Sequence, residues 1–374
     1  MSRFLCVLMA FFLAGCCCCR FPQSNSNDEV FETPENNNTS APVSVDVDVK
    51  KETSISQYQL VSVAHGTQPS KDYLVIDLSG GPQAPEYPMF ESTIAPNLED
   101  DACRTNLLWL RRINKGAFTM GSLDGEQLSR TQDGGRFPHR RNEMPHQVEL
   151  TQTYYIGVYE VTQKQYELVM GGNPSKHLGD MRPVEQVSYD DLRGSSGKQA
   201  WPTFGHSVDS ETFFGKLRAK TGLVFDLPTE AQWEYACRAG TTTALNSGKN
   251  LTAVDECPNM AEVGRYRRNC SDGKGGYSEH TKVGSYLPNA WGLYDMHGNV
   301  WEWCLDWYSD YLLAPQTNPE GPDSSICTHR VVRGGSWKYN YAQNCRSAIR
   351  DDIYFPSDRS DDGGFRVVIF LLDK

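Results

Sequence analysis

Positive charge is what this sequence has least to spare. Its 36 Lys and Arg stand against 47 Asp and Glu, a formal net charge of −11 over 374 residues. Phosphate neutralisation needs clustered Lys and Arg, so this balance argues against a nucleic-acid partner. Metal-binding spacings are missing as well. The eight His are scattered singly, no HExxH occurs, and the folded part holds no CxxC pair, so a zinc centre or catalytic His cluster has little support. Long apolar runs are also absent; Phe4 to Leu13 is too short to span a bilayer. What is present is ordinary for a globular chain, 39% hydrophobic and 22% charged, with 32 Gly and 8 Trp that point to a loop-rich fold. The length suits one large domain or two ordinary ones.

The amino end reads as targeting sequence. Arg3 precedes the run Phe4 to Leu13, which has the length of a signal-peptide core. Leu13-Ala14-Gly15-Cys16 resembles the bacterial lipobox, which makes residues 1–15 a signal peptide and Cys16 the residue diacylated after cleavage. Two acyl chains anchor a protein stably where one does not. Residues 16–54 are polar, rich in Asn, Ser, Pro and acids, and nearly free of aromatics, the composition of a disordered tether. The expectation is a lipid-anchored protein of the bacterial cell envelope, on the outer-membrane surface, with its folded domain over residues 55–374.

Cys103, Cys237, Cys257, Cys270, Cys304, Cys327 and Cys345 fall in that domain. In an exported protein they are disulfide candidates, and their odd number leaves at least one as a thiol. Two β-rich runs lie within Tyr58 to Leu78. Leu107 to Met120 reads as a hairpin turning near Lys115-Gly116, and a strand is predicted over Gln147 to Tyr159. Capping boxes at Thr162/Gln165 and Thr229/Gln232 open helices that stop at Gly171 and Gly240; Asp209 is read as the cap of a helix through Thr221. Beyond Thr241 short strands and long loops prevail. The class is α+β with few helices.

The stretch from Arg333 to Val368 has a different texture. Scaffold residue types recur in it: Arg333-Gly334-Gly335-Ser336-Trp337, Ala342, Cys345 to Ala348, Arg350, Pro356, Arg359 and the closing Gly363-Gly364-Phe365-Arg366. Between them lie the slots Lys338, Tyr339, Asn340, Tyr341, Gln343, Asn344, Ile349, Asp351, Asp352, Ile353, Tyr354, Phe355, Ser357, Asp358, Ser360, Asp361 and Asp362. Tyr, Asp, Ser and Asn dominate the slots, the vocabulary of adaptable binding loops, with Tyr339, Tyr341 and Tyr354 as expected hot spots. Every slot residue type except those of Lys338 and Gln343 is reachable by randomising the adenines of an AAC codon. Solvated turns with no ligand are the plain alternative for runs such as Asp351-Asp352.

The order of motifs carries a family. Phe118-Thr119-Met120 followed by Gly121-Ser122, Tyr159-Glu160-Val161-Thr162, Pro183-Val184, Leu227 to Tyr235, Gly298 to Trp303 and Arg333 to Trp337 resemble the sulfatase-modifying, formylglycine-generating enzyme family. The resemblance runs over roughly Leu107 to Leu372 and implies a C-type-lectin fold. Catalytic members carry two cysteines after RGGS that bind copper and oxidise a substrate cysteine. Here Lys338 to Asn344 holds none, so no copper is expected and the chain is read as a non-enzyme. The resemblance further implies a disulfide between Cys237 and Cys345, and a structural calcium site from Asp295, Gly298, Val300 and Glu302. Slots in a fixed frame also resemble the variable proteins of diversity-generating retroelements, the treponemal ones above all. The resulting expectation is a monomeric surface receptor or adhesin that meets a protein or cell-surface ligand through residues 333–368. An oxidoreductase with altered chemistry and a structural envelope lipoprotein are the alternatives.

Overall fold

The computed structural model describes residues 58–123, 143–195, 207–270, 278–322, 327–338, 341–351 and 354–371. The amino-terminal segments read as signal and tether, and Cys16, lie outside the described residues. Fourteen strands follow one another: β1 (Val61–Val63), β2 (Tyr73–Asp77), β3 (Met89–Ser92), β4 (Leu107–Ile113), β5 (Gly116–Met120), β6 (His146–Leu150), β7 (Tyr154–Gly157), β8 (Phe225–Asp226), β9 (Trp301–Trp307), β10 (Gln316–Thr317), β11 (Arg330–Arg333), β12 (Arg350–Asp351), β13 (Gly363–Gly364) and β14 (Val368–Phe370).

Seven of them form one antiparallel sheet in the order β1-β3-β2-β4-β7-β14-β8. Both of its faces are covered. In β2, Leu74 and Ile76 join one apolar cluster, while Tyr73 and Val75 join Trp109 in another, as the two-residue period of a strand requires. The helices Gln163–Met170 and Phe213–Thr221 pack on the first face, with Tyr166 stacked on Phe213 at 5.5 Å between centroids. β10, β6 and β5 make a small sheet, and β12, β11, β9 and β13 make the four-stranded sheet that bears the Arg333–Val368 stretch. All seven residues of β9 are buried. Few helices, short strands and long loops bear out the α+β expectation.

The capping boxes at Thr162 and Thr229 form as read. Three local readings change. β4 and β5 are not a hairpin: β4 pairs with β2 and β7, β5 with β6, so the chain crosses between sheets at Asn114-Lys115. The strand expected over Gln147 to Tyr159 breaks into β6 and β7 at that same crossing. The third helix is capped by Thr212, whose hydroxyl accepts the Gly215 N–H at 3.2 Å; Asp209 instead takes the Thr212 hydroxyl on its backbone oxygen.

The expected Cys237–Cys345 disulfide is not formed; all seven described cysteines are free thiols. His297 contacts both cysteine residues. Its Nδ1 donates to the Cys345 backbone oxygen at 2.7 Å and its Nε2 accepts the Asn246 N–H at 3.0 Å, with the Cys237 Sγ 4.0 Å away. Burial pushes His297 down to about 4, so its ring is neutral, and burial pushes both thiols up to about 12.

Arg366 ties three elements together. Its Nε and Nη2 donate to the Glu302 carboxylate of β9 at 2.6 Å each, Nη1 to the Gly157 oxygen and Nη2 to the Tyr294 oxygen at 3.0 Å. Glu302→Gln leaves that guanidinium buried without its counter-charge, a loss expected at about 3–5 kcal/mol. Chemical denaturation measures it. A shift below about 1 kcal/mol, the value of a surface pair, would contradict the assignment.

Candidate functional site

The carboxyl-terminal stretch is fixed by its arginines. Arg333 pairs with Glu234 and donates to the Ala348 oxygen at 2.9 Å. Arg346 reaches Glu143 at 3.0 and 3.1 Å, and Arg350 grips Glu230 through two bonds of 2.7 Å. Arg359 holds Asp191 at 2.6 and 2.7 Å, and Arg366 holds Glu302. All five carboxylates lie outside the stretch. Two of them, Glu230 and Glu234, sit one turn apart on the helix Glu230–Arg238, which brings Arg350 and Arg333 to the same face.

Glycine does the rest of the fixing. Gly335 has φ +81°, and a Cβ there would lie 2.4 Å from the Asn344 oxygen. At Gly364 a Cβ would lie 2.5 Å from the Val184 oxygen. β12 pairs with β11 through Asp351 and Arg350, and β13 runs parallel to β9.

The slots divide by burial. Phe355 (48% exposed), Tyr341 (36%) and Ser357 face solvent. Lys338, Gln343, Asn344, Asp351, Tyr354, Asp358 and Ser360 are half-buried. Tyr339, Asn340, Asp352 and Ile353 lie outside the described residues. Ile349, Asp361 and Asp362, read as surface slots, are buried and belong to the scaffold. Asp362 accepts from the Ser336 hydroxyl at 2.8 Å and the Tyr354 hydroxyl at 3.0 Å. Tyr354 also lies on Trp303, so it is part-structural rather than a free hot spot. Asp361 is desolvated, yet hydrogen bonds and charge from Lys176 and Lys338 hold its carboxyl well below the usual range. Trp337 is half-buried, donates to the Asp361 oxygen at 3.2 Å and meets the His177 ring edge-on.

Lys176 and His177 were missed by reading the sequence alone. They precede Asp361 by some 185 residues and carry no local signal of the contact. Phe355 stacks on His329 with centroids 4.1 Å apart, and its N–H donates to Asp358 at 2.8 Å, so the exposed ring has a braced base.

The calcium donors read differently in three dimensions. Asp295 accepts the Gly284 N–H at 2.6 Å through one oxygen; the other is buried without a hydrogen-bond partner. Burial, opposed by that hydrogen bond and Arg366, pushes its carboxyl up to about 6. Glu302 has its oxygens taken by Arg366 and by the Trp233 indole N–H at 2.7 Å. Gly298 has φ +89° and its N–H donates to the Gly334 oxygen at 2.7 Å. The Val300 N–H donates to Glu160, a buried carboxyl raised by burial and by Asp295 and Glu302. Of the two side chains in the set, one carboxylate oxygen is left free, and a calcium ion, which takes six to eight oxygens, would draw the rest from backbone and water. Among the described residues no three His, Cys, Asp or Glu are grouped to hold a metal.

Known proteins share this architecture. The Treponema denticola variable protein 1 superposes with a TM-score of 0.55 at 27% identity, covering 71% of this chain and 96% of that one. PvdO from Pseudomonas aeruginosa gives 0.53 at 27% identity, covering 71% and 95%. The formylglycine-generating enzyme of Streptomyces coelicolor is 38% identical over 183 residues, 46% of this chain and 53% of the enzyme, so the match spans about half of that relative's length. A model described as the sulfatase-modifying factor enzyme 1-like domain matches residues 100–371. With that match over most of the chain, and a C-type-lectin-like fold shared with its structural neighbours, the chain belongs to the sulfatase-modifying factor enzyme 1-like, or formylglycine-generating enzyme, family.

Proposed function

We propose that this chain is a ligand-binding display protein of the cell envelope rather than an enzyme, with its binding face in the slots between Trp337 and Gly363. The observation that carries the reading is the division of labour within one stretch. The carboxylates that hold its landmark arginines all lie outside the stretch, while Tyr341, Phe355 and Ser357 face solvent. A surface can be rewritten without unfolding only when its backbone is held by other residues. The likeness to a treponemal variable protein supports the same reading. Its ligand is a protein or cell-surface molecule, met by a monomer held on the membrane through acylated Cys16; the net charge of −11 disfavours nucleic acid.

The second reading, an oxidoreductase, has its support in relatives that are formylglycine-generating enzymes. Against it stand the missing cysteines of Lys338 to Asn344 and the buried, protonated thiol of Cys345.

The test of display is a library randomised at Tyr341, Asn344, Phe355, Ser357 and Asp358 and selected against an unrelated protein. Specific binders should emerge with stabilities within about 0.5 kcal/mol of the parent. Reverting the aromatic positions to Ala should weaken them by about 2 kcal/mol, roughly thirtyfold. Gly335→Val should instead destabilise the fold by about 1–3 kcal/mol or more. Binders that all melt early, or a Gly335→Val chain as stable as the parent, would sink the reading.

Anchoring is tested separately. Mass spectrometry of membrane-extracted protein should find an acylated amino-terminal Cys16 and no Met1 to Gly15. A soluble, unmodified chain would refute it.

A further inference from the structure

A cavity of about 290 Å³ opens between the end of β9, the loop that follows it, the start of the helix Glu230–Arg238, and Arg350. It lies apart from the exposed slots and nothing in the proposed function uses it. Four carboxylates border it, Glu230, Asp306, Asp310 and Glu320, against the guanidinium of Arg350 in the lining and that of Arg330, which covers the Trp307 ring at 3.5 Å. The Arg350 guanidinium is already matched. Two bonds of 2.7 Å go to Glu230, a third of 2.6 Å to the Ser309 oxygen, and the Tyr311 ring lies 4.0 Å from its centre. In the lining an anion would therefore find carboxylates and no spare cationic donor, while a cation finds a negative field.

The walls are equally selective. His146 packs on Tyr311 with centroids 4.6 Å apart, and Trp307 forms a further aromatic side. Trp307 is only 6% exposed, yet its indole N–H has no hydrogen-bond partner among the described residues. A buried donor without an acceptor marks a place for one. Asp306, buried beside it, accepts the Glu230 backbone N–H at 2.7 Å.

We infer that this cavity binds a small organic cation, an alkylammonium or guanidinium carrying a hydrogen-bond acceptor, with Asp306 as counter-ion. At about 30 Å³ per water the space equals roughly ten waters, enough for a lysine- or arginine-sized group. The acceptor takes the free Trp307 N–H.

Binding is coupled to a proton. Burial, then the charge of Glu230, pushes Asp306 up to about 8 against the pull of Arg350 and Arg330, with Glu320 on the adjoining wall. Near neutrality the free protein thus holds Asp306 as a carboxylic acid. The incoming cation replaces that proton, which leaves to solvent, so one proton is released per cation bound. Affinity rises with pH to about 8 and levels off above it.

Calorimetric titration of the full chain tests this, using lysinamide and agmatine, with hexanamide as the uncharged control, in two buffers of different ionisation enthalpy. The amines should bind saturably with proton release near one, gain about tenfold in affinity per pH unit below the Asp306 midpoint, and hexanamide should not bind. Asp306→Asn keeps an acceptor for the Glu230 N–H; it should abolish the proton release and weaken binding about tenfold or more. The exposed Asp310→Asn, which leaves the core untouched, should weaken binding severalfold and keep the pH dependence. Failure of both amines to bind at millimolar concentration, equal binding of hexanamide, or binding indifferent to both substitutions overturns the inference.

Discussion

The arginine–carboxylate clamps are the constraint on which this structure depends. Arg333, Arg346, Arg350 and Arg366 are buried and each meets a carboxylate delivered by a distant element. Such pairs contribute modestly to net stability, because desolvation offsets much of their attraction, but breaking one is costly. Their value here is positional. A guanidinium gripping a carboxylate through two bonds fixes direction as well as distance, so the path of the backbone between clamps is set largely by buried residues. Arg359–Asp191 is the exception, an exposed pair that orients the chain near the slots while adding little energy.

The same economy shows in how the family scaffold is used. Its motif residues remain as packing and ion-pair partners: Trp233 donates to Glu302, Asn299 and Val300 to Glu160, and Trp303 to the Val187 oxygen. The segment from Trp337 to Asn344, by contrast, holds no cysteine. A fold whose cohesion is separate from its reacting groups can lose the second without losing the first.

Much of this was legible in the sequence because it is local. The boxes at Thr162 and Thr229 announce helices through groups three residues apart, and Gly335 announces a backbone that a side chain would obstruct. The landmark arginines stood out by type, although their partners did not. Residue chemistry was a poor guide to burial at Asp361 and Asp362, because Lys176 neutralises the first and Ser336 and Tyr354 satisfy the second, from places no pattern indicates. Strand patterns found β4 to β7 but were silent on the crossing between sheets, since alternation is the same whichever sheet receives a strand. The disulfide and the calcium set came from resemblance alone; both cysteines are free thiols, and Arg366 holds the Glu302 carboxylate.

β14 lies downstream of every slot, yet it sits inside the large sheet, between β7 and β8. A stop codon or a shifted reading frame anywhere in the stretch from 333 to 366 deletes or scrambles it. The two neighbouring strands then lose their ladders and expose unpaired edges beside a core open to water. Such a product is a substrate for proteases. Any process that rewrites this stretch of gene thus meets a quality control built into the topology. Only messages read in frame through β14 complete the sheet, so frame-shifted products are culled as unfolded chains.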